Sequence, residues 1–329
     1  MARSSLKLVL LLVLALFVSG RSGLASESDR LILAHYMPWF ASREISGSWG
    51  GHWTMGHFNP DRFLWEGERQ VASQDYPLLG AYDSGDSRVL ETQVLLMKMS
   101  GIQGVIVDWY GATDLRDYAM IHRNTQLLIP ILKRAGLKFA ICYEDQSLGE
   151  AEGVGGSASK RIQEGAVEAL QWVDQNWFSD DSYVRLSGRP VLLVFGPQRV
   201  TGEGWNALRV VLKSNPLIFG LPHLEKQSRM DGAFGWVPVA DGKTVAPEQW
   251  RSELERLYGT GGSSTNRMAV AFPGFQDMYQ KAGLHASYGR IDSREGKTFG
   301  ETLGLALKSG LPLVQIATWN DHGEGTGIE

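Results

Sequence analysis

The chain has 329 residues, 43% of them hydrophobic and 21% charged, with a formal net charge of -4 and an isoelectric point of about 6.0. That is the composition of a globular protein long enough for one large core, and the absence of a basic stripe argues against nucleic acid or an anionic membrane surface as partner. Aromatic residues make up 10% and include eleven Trp; their flat apolar faces suit sugar rings, although a large barrel also buries many of them.

Residues 1–25 read as a secretory signal peptide. Arg3 and Lys7 give a positive start, LVLLLVLALFV (8–18) is an apolar run too short for a full membrane span, and GLA (23–25) supplies a small-x-small cleavage site. The expected location is therefore secreted or periplasmic, with no membrane association after cleavage. The single cysteine, Cys142, excludes an internal disulfide and lies in an apolar run as a small buried side chain.

After the leader, eight apolar or β-branched runs follow in order: 31–40, 104–111, 138–145, 189–196, 216–223, 232–239, 267–275 and 311–321. They do not alternate strictly, as expected of strands buried on both faces. Helical patterns lie between most of them, at 87–101 (Val89, Gln93, Leu96 and Met97 near one face), 117–136, 159–178, 203–215, 246–259 and 298–310. Basic last turns before Gly or Asn mark several of their ends. The fifth and sixth strands have no clear helix between them. Repeated strand–helix alternation predicts a single-domain (β/α)8 TIM barrel over 26–329; an open doubly wound sheet is the alternative, and no strand-GxGxxG-helix unit supports it. Gly-rich stretches at 153–159 and 260–265 read as loops. No helical pattern follows the eighth strand, so the barrel is expected to lack its last helix, as in a fragment. DSGD (83–86) reads as the start of the 87–101 helix and not as a calcium loop.

In such barrels the chemistry sits at the C-terminal strand ends. Those ends carry Tyr36 and Trp39, then Asp108, Trp109 and Tyr110, then Tyr143 and Glu144. His223 and Glu225 follow the fifth strand, Trp236 the sixth, and Asn320, Asp321, His322 and Glu324 the eighth. Carboxylates and aromatic faces on one rim are the pattern expected for cleaving a glycosidic bond, which needs one protonated and one ionised carboxyl. Asp321 and Glu324, three apart in a Gly-flanked turn, are the candidates. A separation near ~5.5 Å would favour retention and ~6.5–9.5 Å inversion, and spacing in sequence does not decide between them. The competing reading makes Asp321 a turn cap. Asp108 reads either as a substrate ligand or as a rim ion pair, and Trp39, Trp109 and Tyr110 either as stacking platforms or as barrel filling. The long connection 41–85, with GSWGGHWTMGHFNP (47–60), reads either as part of the mouth or as a packed cap. His35, His52, His57, His223 and His322 form no zinc-type spacing, so neither a metal nor a cofactor is expected in catalysis.

HYMPWF (35–40), GAYDSGDSRVLETQVLLMKMSGIQGVIVDWYG (80–111) and TWNDHGEGTGIE (318–329) resemble the group formed by glycoside hydrolase families 99 and 71. The resemblance implies a metal-independent barrel acting on α-linked sugars. By motif position it makes Glu324 the general acid. Asp321 stands where family 99 has a Glu that deprotonates the sugar 2-hydroxyl on a retaining path; the Asp found here resembles family 71, which inverts. The implied partner is an α-mannan or α-glucan type oligo- or polysaccharide, cleaved internally. A carbohydrate-binding barrel without catalysis is the alternative.

Overall fold

The computed structural model of the chain describes residues 30–64, 67–148, 158–259 and 266–329. The signal-peptide stretch 1–25 and the loop sequences 153–157 and 260–265 lie outside the described residues. Leu31–Glu329 form one compact unit. Its barrel strands are β1 (Leu31–Tyr36), β2 (Gly104–Trp109), β3 (Lys138–Tyr143), β4 (Arg189–Val194), β5 (Leu217–Gly220), β6 (Gly232–Phe234), β7 (Asn266–Ala271) and β8 (Leu313–Ile316). Each pairs in parallel with its neighbours in chain order, and Leu31↔Leu313 joins β1 to β8, so the sheet closes. This is a (β/α)8 barrel. Each predicted strand is present, although the apolar runs extend past the paired segments into the loops at the mouth.

Besides two single-turn helices at Arg43–Ser46 and Gly51–Thr54, the helices are α1 (Ser87–Met99), α2 (Tyr118–Arg134), α3 (Ala158–Asn176), α4 (Gly202–Val211), α5 (Pro247–Gly259) and α6 (Lys297–Lys308). These six long helices match predicted patterns, and residues 222–229 between β5 and β6 are turns. Asp86 caps α1 by accepting from the Arg88 N–H at 2.9 Å, as the helix-start reading of DSGD requires. The buried face of α1 is corrected to Leu90, Gln93, Val94 and Met97. Both sets fit the 3.6-residue period; Val89 and Leu96 are half-buried at the edge of the face that the packing of α1 against the barrel selects. No helix among the described residues is long and apolar enough to cross a membrane.

Parallel strands covered by helices bury both faces, and every residue of β2 is buried. Side chains therefore alternate between the barrel interior and the helix layer. Asp145, just past β3, accepts backbone N–H bonds from Gln198, Arg199 and Val200 at 2.8–2.9 Å, tying the β3 loop to the β4 loop. Glu225, half-buried, accepts two bonds from the buried Arg267 guanidinium at 2.8 and 2.9 Å, so it is engaged as an ion-pair partner. Arg267→Ala would leave that carboxylate without its counter-charge, and a loss of about 3–5 kcal/mol is expected. A urea titration followed by circular dichroism checks this by its midpoint.

The connection 41–85 satisfies both readings offered for it. Phe40, Trp53, Val71 and Tyr82 form a separate core cluster, fixed by a 2.7 Å bond from Trp53 Nε1 to the Tyr82 carbonyl. The same segment sends His52 to the mouth, stacked on Trp39 at 4.0 Å between ring centroids.

Candidate active site

The turn after β8 is built by its own short side chains. The Asp321 N–H donates to Thr318 Oγ1 at 2.8 Å, and Asp321 Oδ1 accepts the Glu324 N–H at 3.1 Å. Thr318 and Thr326 pair through backbone and hydroxyl, closing the loop's base. Gly325 is favoured because its φ is +63° and a Cβ there would stand 3.0 Å from the Gln276 carbonyl oxygen. The loop is clamped from the next connection as well, where the Gln276 and Met278 N–H groups donate to the Glu324 and Gly323 carbonyls.

Asp321 is thus both a turn cap and a carboxylate with one oxygen to spare. Burial pushes its pKa up to about 6, against the pull of the Glu324 N–H, His52 and His322. Glu324 is half-buried and accepts the Tyr279 hydroxyl at 3.0 Å on Oε1. Burial, and then the Asp321 charge, drive its pKa well above the carboxylate range. Two carboxyls in one turn are therefore conditioned differently: Glu324 retains its proton where Asp321 has lost its own. Tyr279 stabilises the ionised form of Glu324, so Tyr279→Phe should raise the Glu324 pKa further. The expected result is a shift of the alkaline limb of kcat/KM to higher pH by about one unit, read from a pH–rate profile.

Around this pair the structure gathers Asp108, Tyr110, Glu144 and Trp236. Glu144 is 5% exposed and accepts from Gln146 Nε2 at 2.8 Å; burial, Asp108 and Glu324 all raise its pKa. Tyr110 is half-buried, stacks on Tyr118 at 5.0 Å, and sits in the field of Asp108 and Glu144. Trp236 packs edge-on against His35 at 4.8 Å, and Trp39 borders the mouth beside His52.

Five predicted binding residues are placed elsewhere. Tyr36 points to the helix layer and donates its hydroxyl to Gln93 of α1 at 2.7 Å. Trp109 donates Nε1 to His122 at 3.2 Å and packs against Trp172 and Trp177. Tyr143 lies beside Trp109, with 5.8 Å between ring centroids. All three follow an inward residue (His35, Asp108, Cys142) by one position, and the pleat turns them outward. Asn320 is spent on structure: its amide accepts from the Met37 N–H and donates to the Met37 carbonyl and the Tyr82 hydroxyl. His322 stacks on Trp53 and sits 3.2 Å from the Tyr82 hydroxyl, supporting the turn from behind. Conversely, Tyr279 and His52 belong to the site and were not among the sequence candidates. Their only signal was an aromatic or imidazole ring in a long loop after a barrel strand. Among the described residues one trio has metal-ligand chemistry: His35, Asp108 and Cys142, in the barrel interior.

Fold and mouth together define a (β/α)8 barrel whose eighth-strand turn carries two differently conditioned acids among aromatic rings. Solved structures share this fold. The GH99 endo-α-mannosidase from Bacteroides thetaiotaomicron is similar at 18% identity and a TM-score of 0.67 in its complex with bis-tris-propane, over 91% of this chain and 86% of that one. A second structure of the GH99 endo-α-mannosidase from Bacteroides thetaiotaomicron gives 17% and 0.66, over 91% and 87%. A glycoside hydrolase-like protein gives 15% and 0.62, over 94% and 89%. No family profile and no curated protein sequence matches the chain.

Proposed function

We propose that this protein is an exported glycoside hydrolase that cleaves α-linked glycans of the α-mannan or α-glucan type at internal bonds. Glu324 protonates the leaving oxygen. Asp321, ionised above pH about 6, acts on water, the ring carbon or the neighbouring hydroxyl. Asp108 and Glu144 accept from sugar hydroxyls, and Trp39, Tyr110 and Trp236 offer ring faces. The reading rests above all on the two acids sharing one mouth turn with separated proton affinities. The fold shared with endo-α-mannosidase structures supports the substrate class, and the apolar leader at 8–18 supports export.

The test is incubation of the mature protein with a panel of α-mannans and α-glucans, with product anomers followed by NMR. Oligosaccharide release from one of them is expected, and the first anomer formed reports retention or inversion. Binding without release from any member of the panel would identify a carbohydrate-binding barrel instead.

A further inference from the structure

Three neighbouring strands bring together atoms that accept and hardly donate. His35 on β1, Asp108 on β2 and Cys142 on β3 each offer one ligand atom, these atoms lie within 4.8 Å of one another, and all three residues are buried. His35 Nε2 and Asp108 Oδ1 are 3.8 Å apart. Neither has a hydrogen-bond partner among the described residues.

The tautomer of His35 follows from its neighbour. Gln315 spends its Nε2 on the Gly235 carbonyl, so Gln315 Oε1 is the atom that faces His35 Nδ1 at 3.4 Å. Facing an acceptor, Nδ1 is the ring's donor, which leaves Nε2 as the nitrogen that can present a lone pair toward the Asp108 carboxylate. Two such acceptors, 0% and 2% exposed, are costly when nothing positive lies between them. A direct hydrogen bond would need about 2.7–3.2 Å, and the observed gap is wider. The third neighbour is a thiol, a weak donor.

We propose that His35, Asp108 and Cys142 form a binding site for a borderline-soft divalent cation of the Zn²⁺ type in the barrel interior. Imidazole, carboxylate and thiolate together are a zinc-type donor set, and hard cations such as Mg²⁺ or Ca²⁺ prefer oxygen alone. Atoms no more than 4.8 Å apart lie at most about 2.8 Å from a common point, against zinc bonds of about 2.0–2.3 Å, so small side-chain adjustments bring all three into range. A supporting contact is in place: Gln315 orients His35. On binding, the Cys142 thiol releases its proton to solvent and the sulfur becomes the metal-bound thiolate. If the glycosidase reading holds, on which this consequence rests, the cation occupies a carboxylate that would contact sugar, and turnover falls when the site fills.

The test is Co²⁺ titration of the full mature chain after dialysis against a chelator. One equivalent is expected, with visible d–d bands and a sulfur-to-cobalt charge-transfer band in the near ultraviolet, displaced by Zn²⁺. Cys142→Ala should abolish the charge-transfer band, and His35→Gln should weaken binding about 100-fold or more. Absence of a charge-transfer band in the wild type at saturating Co²⁺ overturns the proposal whether or not the variants fold. Unchanged cobalt binding in folded variants overturns it too. The cobalt spectrum is read without glycan, so failure of the hydrolase reading leaves it unaffected.

Discussion

Glu324→Gln is expected to lower kcat on a natural α-linked polysaccharide by about 10²–10⁴-fold, the usual worth of a positioned proton donor. The amide keeps the shape of the carboxyl and can still accept the Tyr279 hydroxyl, so the fold and KM should change little. The loss should depend on the leaving group. A glycosyl fluoride departs without a proton, and with it the variant should recover most of its rate. Unchanged turnover on the polysaccharide, or an equal loss on both substrates, would remove Glu324 from the acid role. In the wild type the same proton sets the alkaline limb. Burial and Asp321 hold the Glu324 pKa well above its ordinary range, so activity is expected to decline only as pH rises through that raised value.

Asp321→Asn is expected to be comparably damaging to turnover and, unlike most changes in a buried loop, to stabilise the protein. The side chain is 6% exposed, and its pKa moves from 3.8 to about 6 on folding. A carboxyl with a raised folded pKa favours the native state only while protonated. Its contribution is therefore fully present below about pH 3.8 and lost as pH rises through about 6. Above that pH the ionised group costs up to about 3 kcal/mol, and Asn removes the cost while still accepting the Glu324 N–H. Thermal unfolding should show Asp321→Asn higher in Tm at pH 7.5 and equal to wild type near pH 3.5. Equal Tm values at both pH values would mean the carboxyl is not desolvated. Removing the Asp321 charge should also lower the Glu324 pKa, so any residual activity loses its alkaline limb at lower pH. Gain of stability with loss of function is the signature of a site held at a cost to the fold.

The order of strands and helices was legible because burial on both faces leaves long apolar runs and helices leave a 3.6-residue period. The missing α-helix between β5 and β6 was legible for the same reason. That Asp321 and Glu324 share one turn at the barrel mouth was legible because they stand among glycines directly after the eighth apolar run, where a barrel strand ends. The binding residues were read less well. Tyr36, Trp109 and Tyr143 are aromatic and at strand ends, yet each sits one position beyond an inward residue, and a single step along a strand reverses the face. Asn320 and His322 have sugar-binding chemistry, but their hydrogen bonds go to Met37 and Tyr82, far away in sequence.

The sequence by itself determined the barrel, its eight strands and the turn that carries Asp321 and Glu324, because periodicity, helix stops and turn glycines are local properties of the chain. Only the tertiary structure decided which side chains share the mouth, which acid keeps its proton, and that His35, Asp108 and Cys142 meet at all. Pairing of β1 with β2 and of β2 with β3 places ligand atoms from three strands within 4.8 Å, and proton affinity depends on burial and on charges brought in from other loops. Neither quantity exists until the chain has folded.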